Sequence, residues 1–396
     1  MNPHLDRLEP YPFERLNALL EGLPPNPSRQ PVALSLGEPK HEAPHFVVTA
    51  LAAHDTIRHG LATYPPTRGS DSLRTAISQW INRRYGTELD PATEVLPVNG
   101  TREALFSFGQ AVLSGEPGAT VLMPNPFYQI YEGAALLRGA TPCYVPATGL
   151  PDFDALPASI WPSVELVYVC SPGNPSGQVI PERTLADLVR RAREFDFAIA
   201  SDECYSEIYR NEDDPPVGLL EAAANAGLGH RNCVVFNSLS KRSNVPGLRS
   251  GFVAGDPDII ARYYDYRTYH GCAMSAHVAA VSELAWSDEA HVVANRALYR
   301  AKFDAVFPVL QEVLDVAMPP GAFYLWPRTP VGDETFAAAL YRRENITVLP
   351  GSYLGRNQNG VNPGEGRIRI ALVAPLADCL AAAQRVADFV KTHDFG

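Results

Sequence analysis

The sequence lacks the features that mark several large classes of protein. It has no block of lysine and arginine and carries a net charge of −11, so nucleic acid, which is bound through clustered positive charge, is not expected as a partner. No apolar run approaches the length that spans a bilayer, and residues 1–22 show no basic start followed by an apolar stretch. We therefore expect neither a membrane protein nor a secretory signal. Low-complexity segments and internal repeats are missing too.

Cysteine is scarce, and its spacing excludes further classes. The six cysteines include no C-x-x-C pair, which suits buried reduced thiols in a cytosolic protein better than a disulfide framework or a zinc site. Hydrophobic residues make up 46% of the chain and charged residues 19%, which is a globular composition. The 396 residues exceed one ordinary domain. We expect a soluble cytoplasmic protein of more than one domain, without a metal site.

Short apolar runs alternate with amphipathic helical stretches between Glu94 and Ala254. This alternation is typical of a mostly parallel sheet covered by helices, as in α/β proteins. Ligands of such folds sit outside the carboxyl ends of the strands. The predicted strands are Val95–Val98, Thr120–Met123, Leu166–Cys170, Phe197–Ser201, Cys233–Phe236 and Ser250–Ala254.

The pattern of predicted helices and strands divides the chain into three segments. Residues 1–45 form an arm, with Phe13 and Leu16 on the apolar face of a short helix. Residues 46–284 form the large domain, which opens with a helix around residues 45–59. Residues 285–396 combine a long helix, roughly residues 291–314, with a few short strands, which fits a smaller α+β domain. We expect the arm to join this small domain.

Lys241 follows the buried strand Cys233–Phe236 and a pair of serines. A lysine at the end of such a strand can form a Schiff base with a carbonyl compound if burial or nearby cations partly deprotonate its amine. Arg242 and Arg249 are the cations available in sequence. A solvated lysine is the alternative.

Two further strand-end loops have features of a ligand site. The turn Asn99-Gly100-Thr101-Arg102 opens a helix, whose free N–H groups and positive dipole end attract an anion. The alternative is a plain glycine turn with Thr101 as the helix cap. Tyr128 follows the next strand, where its ring could stack on a flat cofactor or be an ordinary core aromatic.

The remaining loops place an amide and a carboxylate at strand ends. The Asn174-Pro175 bond is a candidate for a cis peptide that aims the Asn174 amide inward, with an exposed trans turn as the alternative. Asp202 ends a buried strand, where a carboxylate is costly unless it meets a donor, a structural arginine or a protonated pyridine nitrogen. Gly37 permits either the close approach of a ligand or a simple turn. Tyr64 is either a packing residue or a donor to an anion. Five such loops at one edge of a sheet indicate one shared ligand.

Taken together, these residues resemble the fold-type I pyridoxal-phosphate aminotransferases, classes I and II. The resemblance covers nearly the whole chain, and the combination of Ser-x-x-Lys, an arginine eight residues later and the Asn-Pro-x-Gly loop is specific to that family. It implies a large domain with a mostly parallel seven-stranded sheet, a smaller α+β domain, and a homodimer with shared active sites. The matching segments are Tyr64, Gly100-Thr101-Arg102, Tyr128, Ser171-Pro172-Gly173-Asn174-Pro175-Ser176-Gly177, Asp202-Glu203-Cys204-Tyr205, Ser238-Leu239-Ser240-Lys241, Arg249 and Arg367-Ile368-Arg369-Ile370.

The resemblance implies a role for each matching residue in binding pyridoxal 5′-phosphate. Lys241 would hold the cofactor aldehyde as a Schiff base, and Asp202 would pair with the protonated pyridine nitrogen. Tyr205 and Asn174 would hydrogen-bond the ring's phenolic oxygen, while Tyr128 would stack on the ring. The residues implied to hold the phosphate are Gly100, Thr101, Arg102, Ser238 and Arg249, with Tyr64 reaching in from the partner subunit.

The resemblance also implies how the substrate is bound. Arg369 would bind the α-carboxylate as a bidentate fork, with Asn174 beside it, and Gly37 would close over the substrate from the small-domain side. Several runs are similar to the subgroup that transaminates N-succinyl-LL-2,6-diaminopimelate with 2-oxoglutarate in lysine and peptidoglycan biosynthesis. Such a substrate has a second carboxylate, for which Arg15, Arg68 and Arg242 are candidates, although a surface location is the alternative for each.

Three other functions remain as alternatives. The first is an aminotransferase for aspartate, alanine or aromatic amino acids, and the second is a carbon–sulfur lyase on the same scaffold. The third is a non-catalytic regulator that binds the cofactor. A regulator of this kind usually carries a DNA-binding segment, and the first ~90 residues show neither a basic footprint nor a separate helical module.

Overall fold

The protein is described by a computed structural model over residues 1–146 and 149–395. Its strands are β1 Val32–Ala33, β2 Val95–Val98, β3 Thr120–Pro124, β4 Thr141–Val145, β5 Val164–Cys170, β6 Ala198–Asp202, β7 Cys233–Ser238, β8 Gly251–Gly255, β9 Tyr324–Leu325, β10 Ile346–Thr347, β11 Leu349–Pro350 and β12 Ile368–Ala371. Its helices are α1 Pro12–Leu20, α2 His45–Ala52, α3 His54–Ala62, α4 Asp71–Tyr85, α5 Thr101–Val112, α6 Ile130–Leu137, α7 Glu182–Phe195, α8 Leu219–Asn225, α9 Leu239–Arg242, α10 Pro257–His270, α11 Ala276–Ser287, α12 Ala290–Gln311, α13 Asp333–Glu344 and α14 Leu376–Thr392.

A seven-stranded sheet forms the centre of the fold, with the strand order β2-β8-β7-β6-β5-β3-β4. Strand β8 runs antiparallel to both of its neighbours, and the other four pairings are parallel. The prediction of a mostly parallel seven-stranded sheet is therefore confirmed. Because parallel strands buried on both faces need apolar side chains throughout, the six strands predicted from apolar runs are found within a few residues of their expected bounds.

Strand β4, the seventh strand of the sheet, was not predicted. It lies at the sheet edge, where it pairs only with β3, and it is largely part-exposed. Its sequence, Thr-Pro-Cys-Tyr-Val, contains a proline, which an edge strand tolerates because one side needs no ladder bond. An edge strand of this kind lacks the continuous apolar run by which the other strands were recognised.

The helix predicted around residues 45–59 is two helices, α2 and α3, which break at Ala53. The backbone of Ala53 is extended, with ψ 125°, and its N–H donates to the Ala50 carbonyl. Both helices contact α11, and Gly60 of α3 lies against His277 of that helix. The break at Ala53 therefore accompanies packing against the distant helix α11, and the local sequence does not predict it.

Separate apolar cores cover the two faces of the large sheet. Neighbouring residues of one strand enter different cores, as Val121 and Leu122 of β3 do, because successive strand side chains point to opposite faces. A third core joins α12, α13 and α14 to β12 and includes Leu34 from the N-terminal part. The limits of the three predicted segments, 1–45, 46–284 and 285–396, stay a prediction.

Within residues 1–146 and 149–395, no helix is long and apolar enough to cross a membrane. The six cysteines are all free; four are buried, as expected, and two, Cys143 and Cys272, are half-buried.

Helix α1 docks through Leu16, which is 3% exposed and packs with Leu349, Tyr353 and Leu354. We expect Leu16→Ala to lower the free energy of unfolding by about 2–4 kcal/mol, because truncation leaves a cavity in this cluster. Leu5→Ala is the control, since Leu5 is 49% exposed and should change stability by less than about 0.5 kcal/mol. Urea denaturation of both variants measures the difference, and equal losses would contradict the docking of α1.

Candidate active site

The carboxyl ends of the parallel strands open into a cavity of about 250 Å³. Residues from the large sheet, from β12 and from the segment just before α1 meet in its wall. Ten of the thirteen residues predicted from sequence line it: Gly37, Thr101, Arg102, Tyr128, Asn174, Asp202, Tyr205, Lys241, Arg249 and Arg369. The fold therefore brings together residues that lie up to about 330 positions apart in the chain.

Gly100 and Arg249 meet at the start of α5. Gly100 caps this helix with φ 84°, and a Cβ atom there would lie 2.3 Å from the Arg249 Nη2 atom. The backbone conformation requires glycine, and the lack of a Cβ atom leaves room for the Arg249 guanidinium. Arg249 is exposed, and its guanidinium donates to the Pro246 carbonyl. The N-terminus of α5 and this guanidinium together form a positive site that fits a phosphate group.

Ser238 and Thr101 lie beside this positive site with their hydroxyl groups engaged. The Ser238 hydroxyl accepts a hydrogen bond from the Ser240 N–H at 3.2 Å, which caps the short helix α9. The Thr101 hydroxyl lies 3.0 Å from the Cys204 thiol. Burial, followed by the charge of Asp202, raises the pKa of Cys204 well above its ordinary value, so this thiol stays protonated.

Asp202 is a buried carboxylate, 5% exposed, at the end of β6. Its Oδ2 atom accepts a hydrogen bond from the Tyr131 hydroxyl at 2.8 Å, and its Oδ1 atom accepts from the Cys204 N–H at 3.3 Å. Among the described residues, no arginine or lysine forms an ion pair with it. The structural-arginine alternative is therefore not supported, and the carboxylate is suited to a cation brought by a ligand, such as a protonated pyridine nitrogen.

Lys241 lines the cavity, and its Nζ atom lies 5.7 Å from the centroid of the Tyr205 ring. Its neighbour Arg242 does not line the cavity, so the expectation of a cationic neighbour there is wrong for Arg242. The Arg242 guanidinium is buried, donates to the Ala285 carbonyl and to Glu289, and lies over the Trp286 ring. It is engaged in a structural ion pair on the other side of α9.

The three arginines considered for a second carboxylate all lie outside the cavity wall. Arg68 donates to the Ala92 carbonyl, and Arg15 lies over the Tyr353 ring. Arg242 is also not at the surface, because its side chain is fully buried. The exposed arginines that do line the cavity are Arg102 and Arg249, both of which were assigned to the phosphate, and the Arg102 guanidinium lies over the Tyr11 ring.

Arg369 and Asn174 form one unit across the cavity wall. The Asn174–Pro175 bond is cis, as predicted, and the Asn174 Oδ1 atom accepts a hydrogen bond from Arg369 at 2.9 Å. Arg369 also donates to the Ser35 carbonyl, is 4% exposed, and has a buried Nε atom without a partner. No carboxylate pairs with it among the described residues. A buried guanidinium of this kind fits the carboxylate of a bound molecule.

Tyr324 is a site residue that the sequence analysis missed. Its hydroxyl lies 2.8 Å from the Tyr205 hydroxyl, and its ring lies 4.6 Å from the guanidinium carbon of Arg369. A Cβ atom on Gly37 would lie 2.0 Å from the Tyr324 hydroxyl oxygen, so Gly37 is packed directly on this residue. In the sequence, residues 322–326 form only a short apolar stretch. The signal that could have identified the site residue is that Tyr324, within this stretch, is an aromatic with a polar hydroxyl group.

Tyr64 is 99% exposed and takes no part in the cavity wall of the described chain. Its predicted contact with the phosphate across a subunit interface stays a prediction.

A mostly parallel α/β sheet is typical of the fold-type I pyridoxal-phosphate enzymes when its carboxyl edge has a lysine, a carboxylate without an ion-pair partner among the described residues, and a helix N-terminus that attracts anions. The donor set fits this cofactor, because the unpaired Asp202 matches its ring nitrogen and the Gly100–Arg249 site matches its phosphate. The chain belongs to the aminotransferase class I and II family, whose model matches residues 29–386. Pyridoxal phosphate is the cofactor of that family.

Known proteins with full-length similarity agree with this assignment. An LL-diaminopimelate aminotransferase from Syntrophobacter fumaroxidans is 30% identical over 96% of this chain and 97% of its own length. A 4-dedimethylamino-4-oxo-anhydrotetracycline transaminase from Streptomyces rimosus is 35% identical over 90% of this chain and 92% of its own. The crystal structure of an aminotransferase from Neisseria meningitidis shares 46% identity, covers 98% of this chain and 100% of its own, and superposes with a TM-score of 0.94.

We expect Gly37→Ala to lower kcat/KM for transamination about 10- to 100-fold, because the added Cβ forces Tyr324 or the backbone to shift beside Arg369. Adding Tyr324→Phe should restore part of the loss, since the hydroxyl oxygen is the nearest clashing atom. Gly332→Ala is the control, because a Cβ there meets its nearest neighbour only at 3.9 Å. Steady-state kinetics measure all three, and wild-type activity in Gly37→Ala would contradict this packing.

Proposed function

We propose that the protein transfers the amino group of N-succinyl-LL-2,6-diaminopimelate to 2-oxoglutarate, giving N-succinyl-2-amino-6-oxopimelate and glutamate, in lysine and diaminopimelate biosynthesis. The observation that carries the proposal is Arg369, a buried guanidinium in the cavity wall without a carboxylate partner among the described residues. Both substrates have an α-carboxylate that Arg369 can engage. The run similarities and the relative named as an LL-diaminopimelate aminotransferase support the same substrate class.

Pyridoxal phosphate supplies the electron sink that makes the substrate Cα proton acidic and carries the amino group between the two half-reactions. Lys241 would hold the cofactor and, once the substrate amine has taken its place, would accept the Cα proton on Nζ as a general base and deliver it one carbon further. Arg369 and Asn174 would orient the α-carboxylate so that the Cα–H bond faces Lys241. Because one substrate must leave before the next binds, ping-pong kinetics follow.

The other predicted residues would hold the cofactor in place. Asp202 would keep the ring nitrogen protonated, Tyr205 and Asn174 would bond the phenolic oxygen, and Tyr128 would cover the ring. Gly37 would close over the substrate beside Tyr324. The phosphate would be held by Gly100, Thr101, Arg102, Ser238 and Arg249, with Tyr64 supplied by the other subunit of a cytoplasmic homodimer. The full exposure of Tyr64 in one chain supports that last role.

A second candidate substrate is LL-diaminopimelate without the succinyl group. The observation that favours it is the printed name of the relative that is 30% identical over nearly the whole chain. The two candidates differ in the ε-amino end: a free ammonium group in one and a neutral amide with an added carboxylate in the other. Among the described residues, the cavity wall contains three arginines, Arg102, Arg249 and Arg369, and their positive charge favours the compound without a second ammonium group.

Single-turnover absorbance tests the proposal directly. The purified holoenzyme is mixed, without any keto acid, with glutamate, N-succinyl-LL-2,6-diaminopimelate or LL-diaminopimelate in turn. We expect glutamate and the succinylated compound to convert the lysine-bound cofactor to its aminated form, with LL-diaminopimelate much slower. Conversion by LL-diaminopimelate instead would select the second candidate, and conversion by glutamate alone would discard both. Release of pyruvate and ammonia from a sulfur-containing amino acid would indicate the lyase alternative.

Arg369→Gln should raise KM for both glutamate and 2-oxoglutarate about 10- to 100-fold, because each loses a charge-assisted hydrogen bond to its α-carboxylate. Cofactor affinity should stay within about twofold of wild type. Arg367→Gln is the matched control: it lies two residues earlier, donates to the Trp326 carbonyl and does not line this cavity. An unchanged KM in Arg369→Gln, or an equal rise in the control, would contradict the assignment of the α-carboxylate to Arg369.

A further inference from the structure

Tyr131 is the side chain that holds the carboxylate of Asp202. It lies in the first turn of α6, fully buried, and its hydroxyl donates to the Asp202 Oδ2 atom at 2.8 Å. The other carboxylate oxygen accepts the longer bond from the Cys204 N–H, at 3.3 Å. Since no cation pairs with Asp202 among the described residues, the Tyr131 hydroxyl is the shortest contact that stabilises its charge.

Two other tyrosines confine the ring of Tyr131. The Tyr168 ring stacks on the Tyr131 ring with centroids 4.6 Å apart and an interplanar angle of 8°. The Tyr128 ring meets it edge-on at 5.8 Å. The Tyr168 hydroxyl donates to the Leu105 carbonyl at 2.7 Å and does not contact Tyr131 through that bond. Confined between these rings, the Tyr131 ring keeps its phenol oxygen beside Asp202.

The electrostatics keep this hydroxyl a donor. Burial, and after it the negative charge of Asp202, raises the pKa of Tyr131 well above its ordinary value, so the proton stays on the tyrosine. A hydrogen bond donated to the charged form of a buried acid favours that charged form. Without the donor, the negative charge of Asp202 would lose its closest stabilising partner.

We propose that Tyr131 is a positioning residue for the cofactor, acting through Asp202. It stabilises the negative charge of the carboxylate and keeps it directed into the cavity, so that Asp202 can hold the protonated ring nitrogen. This inference rests on the proposed role of Asp202. Tyr131 does not line the cavity, which separates its role from that of Tyr128, whose ring does.

Tyr131→Phe should weaken pyridoxal phosphate binding about 10- to 100-fold, as expected for the loss of one hydrogen bond to a charged group. It should also move the absorbance titration of the lysine-bound cofactor to higher pH by roughly half a unit or more. The sign follows from how the proton is shared between Asp202 and the ring nitrogen. Once Tyr131 no longer stabilises the carboxylate charge, Asp202 draws the ring proton more strongly, and the ring withdraws fewer electrons. The nitrogen that links the cofactor to the lysine then keeps its own proton to higher pH.

Tyr168→Phe is the matched control. It removes a buried hydroxyl from the other ring of the same stacked pair and leaves the bond from Tyr131 to Asp202 in place. Thermal unfolding of the cofactor-free proteins reports the structural cost of each change. We expect a similar cost for both variants, with cofactor affinity and the titration midpoint altered only in Tyr131→Phe.

Asp202→Asn separates failure of this inference from failure of the proposed function. If it weakens cofactor binding while Tyr131→Phe behaves as Tyr168→Phe does, the positioning role of Tyr131 is overturned and the role of Asp202 stands. If Asp202→Asn binds the cofactor as tightly as the wild type, the role of Asp202 is wrong and the inference falls with it. Weakened binding in both Asp202→Asn and Tyr131→Phe, with the shifted titration in the latter, supports the inference.

Discussion

The uncompensated charge of Asp202 is the constraint on which the site depends. Burying a carboxylate at the end of a central strand is costly unless donors or a cation satisfy it, and the described residues supply two donors and no cation. The surroundings are arranged around that charge. Burial and Asp202 together keep Cys204 and Tyr131 in their protonated forms, so no second negative charge competes with it. A cation such as the protonated ring nitrogen of pyridoxal phosphate would satisfy this carboxylate.

The half of the site that contains Arg369 belongs to a different part of the fold and depends on how two cores meet. Arg369 lies on β12, beside the small core, yet its guanidinium bonds Asn174 from a loop of the large sheet. A buried ion pair ties the same two regions elsewhere: Glu207, after β6, accepts from Arg296 of α12, and it also accepts from Arg84 of α4 within the region of the large sheet. Because such pairs are strongly destabilising to break on one side, they hold the two regions in a defined relation. The distance between Lys241 and Arg369 is therefore set by contacts between distant parts of the chain.

Much of this arrangement could be predicted because its causes are local. Buried parallel strands need continuous apolar runs, and six of seven were read in that way, whereas β4 escaped because a sheet edge makes no such demand. The residues that end those strands were predicted to converge, and ten of thirteen line one cavity. The prediction for Arg242 was wrong because distant partners set the direction of its side chain. It is adjacent to Lys241, but consecutive helical residues point about 100° apart, and Arg242 turns into the Trp286 and Glu289 cluster.

The sequence by itself determined the class of fold, the family and most of the side chains at the sheet edge, because apolar periodicity and short motifs act within a few residues. Only the tertiary structure decided which cations face the cavity and which hydroxyl groups support it. The bond from Tyr131 to Asp202 joins positions 71 residues apart, and that between Tyr205 and Tyr324 joins positions 119 apart. Contacts of that kind follow from packing across the sheet and between cores, where the direction of a side chain is set by partners that no local pattern contains.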